Sequence, residues 1–90
     1  MLSEDTVPHL AAGVKFRLDA VRNAWVLLAP ERLFQLDEIA VEVMKLVDGQ
    51  RSVAMIADSL ASKFAAPREE ISGDVSALLQ DLAARGALRL

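Results

Sequence analysis

Residues 34–49 read FQLDEIAVEVMKLVDG, and the way this stretch divides decides the fold. Phe34 to Leu36 close a short strand, Asp37 opens a helix, and Gly49 stops it. The Asp37 carboxylate suits an N-cap, because it can accept from the free amides of the first helical turn. Glu38 and Glu42 place negative charge at the positive end of the helix dipole. Leu36, Ile39, Ala40, Val43, Met44 and Val47 recur at i, i+3, i+4, i+7, i+8 and i+11, one apolar stripe on a 3.6-residue period. Gly49 stands where a left-handed residue ends a helix. A stripe of this kind needs cover, and the rest of the chain is expected to supply it.

Upstream, Val14, Phe16 and Leu18 alternate with Lys15, Arg17 and Asp19, the period of a half-buried strand. Ala20 to Ala24 hold a turn with Arg22-Asn23 at its tip, since Asn tolerates positive φ. Trp25 to Ala29 form an apolar run too short for a helix, so a second strand paired with the first. Pro30-Glu31 turns the chain, and Leu33 to Leu36 make a third short strand. With so few strands at least one sheet edge is free, and the third strand is expected to own it. Residues 1–12 are expected to be a flexible N-terminal arm, with Pro8 and no periodicity. His9, the only histidine, reads there as an ordinary exposed side chain.

Downstream, Ser52 caps a second helix with Val53, Ile56, Ala57, Leu60, Ala61 and Phe64 on one face. Ala65-Ala66-Pro67 ends it. A third helix runs from Arg68 to about Arg85, with Ile71, Val75, Leu78 and Leu82 as its central stripe and Leu79 and Ala83 widening it. Gly73 inside it costs roughly 0.5–1 kcal/mol relative to Ala, which implies either close packing or no role. Gly86 is the stop, and Ala87 to Leu90 either return as a short strand or end. The expected fold is α+β and winged helix-turn-helix-like: a three-stranded antiparallel sheet followed by a three-helix bundle, one domain over residues 13–90.

Composition narrows function. The 90 residues are 53% hydrophobic and 26% charged, a globular balance. There is no cysteine, so no disulfide and no thiolate metal site. The N-terminus lacks the basic and apolar regions of a signal peptide, and no apolar run approaches the ~20 residues that span a membrane. A cytoplasmic protein that binds no membrane is expected. No catalytic or metal-binding residue is identified and no cofactor is implied: the lone histidine sits in the arm, no serine has a base, and no glycine-rich phosphate loop occurs. The carboxylate pairs Glu69-Glu70, Glu38/Glu42 and Asp74/Asp81 read as solvated helix faces. The expectation is a binding module, not an enzyme.

A winged helix suggests DNA, but the third helix carries Glu69, Glu70, Asp74 and Asp81 against Arg68 and Arg85. Phosphate contacts dominate DNA affinity, so nucleic acid is not the expected partner. A free edge strand beside a helix can instead take up an extended peptide through main-chain bonds. The candidate groove joins Leu33, Phe34, Gln35 and Leu36 with the Ser72, Val75, Ser76, Leu79 and Ala83 side of the third helix. For Leu79 a plain core role is equally open. A further reading is a chain that forms a homodimer through its arm or edge strand.

The order of Pro30-Glu31, Leu36-Asp37, Ala40 to Val43, Asp48-Gly49, Arg51-Ser52-Val53, Ile56 with Leu60, Asp74-Val75, Leu78-Leu79, Leu82, and Arg85-Gly86 with Leu88 resembles the PqqD family. The likeness covers roughly residues 8–90. Asp37 and Ala87 stand where the family usually has Asn and an aromatic residue. The resemblance implies a three-stranded sheet with three helices that binds the precursor peptide PqqA. It also implies that the domain presents the peptide to the radical-SAM enzyme PqqE, in the biosynthesis of pyrroloquinoline quinone (PQQ). It places the peptide site between the third strand and the third helix, with Arg32 either pairing an acidic leader residue or serving as a solvated turn residue.

Overall fold

The computed structural model describes residues 1–90. Strand β1 (His9–Leu10) is followed by β2 (Lys15–Asp19), β3 (Ala24–Leu28) and β4 (Leu33–Gln35). Helices α1 (Glu38–Met44), α2 (Val53–Phe64) and α3 (Arg68–Ala84) come next, then β5 (Leu88–Arg89). β2, β3 and β4 form an antiparallel sheet in that order, and β1 pairs with β5 in a separate two-stranded sheet. The expected three-stranded sheet followed by three helices is the fold observed.

Local chemistry explains most element ends. The β2–β3 turn is held by Asp19, whose Oδ1 accepts from the amides of Val21 and Arg22, and Asn23 takes φ 53° at its tip. Asp37 caps α1 as expected, its Oδ1 accepting from the Ala40 amide at 2.8 Å. Ser52 caps α2 through the Met55 amide. After α3, Gly86 at φ +85° reverses the chain. The Gly86 amide donates to Ala83 and the Ala87 amide to Leu82, the paired bonds of a Schellman turn. That turn drops Ala87 into the core, fully buried.

One expected helix is shorter than its stripe. α1 ends at Met44, with Lys45 as its cap, not at Gly49. Leu46 and Val47 bond back three residues, to Val43 and Met44, tightening the chain out of the α-helix. Asp48 then accepts from the amides of Gln50 and Arg51 through Oδ1, a local turn that competes with helix continuation. Gly49 still takes positive φ, and a Cβ there would come within 3.1 Å of His9 Nδ1. Ile39, placed on the buried stripe by periodicity, is 47% exposed.

The core lies between the sheet and the helices. Leu27 and Phe34 come from the sheet, Val43 and Met44 from α1, Val53, Ile56 and Leu60 from α2, and Val75, Leu79 and Leu82 from α3. Lys63 of α2 and Lys45 both pair with Glu42 of α1. No helix is long and apolar enough to cross a membrane.

Residues 1–12, expected as an arm, lie along α2 and α3. The Val53 amide donates to Thr6 C=O at 2.8 Å and the Ala54 amide to Glu4 C=O at 3.0 Å. Those amides belong to the first turn of α2 and have no partner within the helix. Glu4 also receives a two-pronged contact from Arg68 of α3, at 2.6 and 3.2 Å, while Arg68 Nε reaches Asp58 at 2.6 Å. The arm thus ties the starts of two helices together, and His9–Leu10 continue it as a strand beside β5.

Candidate functional site

β2 and β4 are the two edges of the three-stranded sheet, and β4 is the one that meets the end of α3, through Arg32 and Arg85. At the β3–β4 turn, Ala29 and Arg32 exchange both backbone bonds, at 2.8 and 3.4 Å. From there the register pairs Leu28 with Leu33, Leu27 with Phe34 and Val26 with Gln35. Hydrogen-bonded and non-bonded pairs alternate in an antiparallel ladder, so Phe34 bonds inward to Leu27. Leu33 and Gln35 therefore turn their N–H and C=O groups away from the sheet. No turn or loop bond uses these groups. Two donors and two acceptors face outward in a row, the template on which an added strand forms.

Side chains on β4 alternate across its two faces. Arg32 and Phe34 share the face toward α3, and Leu33 and Gln35 share the other. Phe34 is buried at 5% exposure. The guanidinium of Arg32 lies 5.0 Å from its ring centroid and that of Arg85, at the end of α3, lies 5.1 Å away. Arg32 Nη1 also donates to the Arg85 carbonyl at 3.2 Å, capping one of the unpaired carbonyls at the negative end of α3. A shallow groove runs here, lined by Pro30, Glu31, Arg32, Phe34, Arg85 and Gly86.

The structure separates the expected site residues. Arg32, Leu33, Phe34, Gln35 and Leu36 lie on or beside the free edge. Ser72, Val75, Ser76 and Leu79 are buried, none more than 4% exposed, and Ala83 packs half-buried against the core. Leu79 is core, the alternative left open by the sequence. The serines face the arm: Ser76 Oγ accepts from the Leu2 amide at 2.7 Å. At about 100° per residue, Ser76 and Arg85 lie nine residues and about half a turn apart around α3. Arg85, Asp81 and Leu78 share the flank toward β4; Ser72 and Ser76 lie beneath the arm. Sequence reasoning passed over Arg85. Its signal was position, one residue before the Gly86 stop.

No group of three or more His, Asp, Glu or Cys side chains converges as a metal site would require. What the molecule offers is an open strand edge flanked by an aromatic ring and two guanidinium groups. That equipment suits recognition rather than catalysis, and the chain's likeness to known proteins gives it a family. The model of coenzyme PQQ synthesis protein D, PqqD, matches residues 24–88, and the chain belongs to that family. It is a family of binding rather than catalytic proteins. A PqqA binding protein of Bradyrhizobium diazoefficiens is 53% identical over 97% of this chain and 84% of its own length. The solution structure of the PqqD part of Methylobacterium extorquens PqqCD superposes with a TM-score of 0.84 at 44% identity, covering 100% of this chain and 96% of that one. That protein is a stand-alone recognition element for ribosomally synthesized and post-translationally modified peptides. A lasso peptide synthetase B1 in complex with its leader peptide superposes at 0.77 with 25% identity, covering 94% of this chain and 100% of that one.

Proposed function

We propose that this chain binds the precursor peptide PqqA as an extra strand on the outer edge of β4 and presents it to the radical-SAM enzyme PqqE in PQQ biosynthesis. The observation that carries the reading is the outward row of unpaired backbone groups at Leu33 and Gln35. Main-chain pairing would supply affinity, and the groove between β4 and the C-terminal end of α3 would select side chains. The protein contributes no chemistry of its own in this scheme: the Glu and Tyr of the peptide are joined by the enzyme, in the cytoplasm. Relatives named for PqqA binding and the fold shared with a leader-bound synthetase support it.

Backbone-amide NMR with a PqqA peptide tests the proposal. Shifts should concentrate at Leu33 to Leu36 and at Arg85–Gly86, with Ser72 and Ser76 silent. No shifts at high micromolar peptide would sink it. The same edge can pair with a second copy of the chain, so self-association through β4 would compete with peptide and show as concentration-dependent mass.

A further inference from the structure

We infer that Arg32 and Arg85 together form a subsite for one acidic side chain of the docked peptide, which fixes its register on β4. The inference rests on the strand-docking reading above and sharpens it. Both guanidinium groups converge on one ring, at 5.0 and 5.1 Å from the Phe34 centroid. Arg85 is shared with Asp81, Nη2 to Oδ2 at 2.9 Å, on an exposed pair that is weak in water. Arg32 makes no ion pair, its one polar contact being the Arg85 carbonyl. Two carboxylates lie near these cations: Asp81 pairs with Arg85, and Glu31, which lines the same groove, pairs with neither arginine, so Arg32 is left to take another.

The strand geometry says which peptide residue would fill it. A peptide bonded to Leu33 and Gln35 places the residue opposite Phe34 between those two bonded positions. Its side chain emerges on the face of Phe34 and Arg32, toward the end of α3. A Glu or Asp there reaches both guanidinium groups, whose planar forks match a carboxylate. Neighbouring peptide residues point to the Leu33 and Gln35 face and meet neither arginine. One acidic position should therefore dominate, and a shift of register by one residue would lose it.

The test is the affinity of the full chain for a PqqA peptide and for single Glu→Gln and Asp→Asn versions of it. One neutralisation should weaken binding roughly ten- to a hundredfold, the range of hydrogen bonds to charged groups. That penalty should vanish in the Arg32→Gln/Arg85→Gln variant. Asp81→Asn, which frees Arg85 without touching β4, should tighten binding up to about fivefold. Arginines that merely brace Phe34 would show no such gain. If the parent peptide binds but no acidic position matters, or the penalty survives in the double variant, the subsite is refuted while docking stands. If the parent peptide does not bind at all, both readings fall.

Discussion

The two long flanks of α3 are built from the same helix and end in opposite states. On one, Ser72 and Ser76 lie under the N-terminal residues, with Leu2 bonded to Ser76. On the other, Arg85 stands beside a strand whose outer groups have no partner. The difference comes from the backbone. The start of α2 has free amides, and the carbonyls of Glu4 and Thr6 meet them. The outward amides and carbonyls of Leu33 and Gln35 find nothing in the chain to meet. A flank of small side chains therefore marks where the chain's own segment rests. The open flank is the one beside unpaired backbone.

The largest test of this contrast is Leu79→Ala. Leu79 is fully buried, so the substitution should cost about 2–5 kcal/mol in urea unfolding. A loss of peptide affinity with unchanged stability would instead make Leu79 a groove residue. Removing residues 1–6 comes next. It strips two carbonyls from the first turn of α2 and should destabilise by about 1–3 kcal/mol. Peptide affinity at β4 should stay within about twofold, as expected for separated sites. A several-fold rise would show that the arm and the peptide compete, and would erase the distinction between the flanks.

Smaller effects refine the covered flank. A Cβ on Gly73 would meet only Met1 Cε, at 3.7 Å, an ordinary contact. Gly73→Ala should then stabilise the chain by about 0.5–1 kcal/mol, measured as a rise in the urea midpoint. A loss would mean tighter arm packing than this. The gentlest probe is pH. The Arg68 guanidinium beside Glu4 holds its carboxyl below the ordinary 4.5. A carboxyl lowered on docking stabilises the docked arm above its ordinary value, and that contribution disappears as pH falls through the lowered one. Acidification should move the Val53 and Ala54 amide resonances toward those of the arm-deleted chain, while the β4 amides stay in place.

The sequence shows most clearly what is fixed locally. The Asp37 and Ser52 caps, the Asn23 turn and the Gly86 stop each depend on a few neighbouring residues. All are found where the residue types place them. What it conceals depends on distance along the chain. The β1–β5 pairing joins His9 to Arg89, across nearly the whole sequence, and nothing in either dipeptide announces the other. The early end of α1 lies at Leu46 and Val47, whose amides bond back three residues instead of four, a tightening that periodicity does not register. The edge strand itself was legible because the chain holds too few strands to close a sheet. Its helical neighbour was not. An apolar stripe shows that α3 has a buried face, but which flank stays open depends on where the arm lies.

The central claim, that peptide docks as a strand on β4, is tested most directly by methylating the peptide backbone one amide at a time. Each N-methyl group removes one donor and leaves every side chain in place. The account predicts a period of two along the docked segment: amides facing Leu33 and Gln35 lose affinity sharply when methylated, and those between them tolerate it. Uniform tolerance, or losses spaced at three and four residues as a bound helix would give, would contradict it.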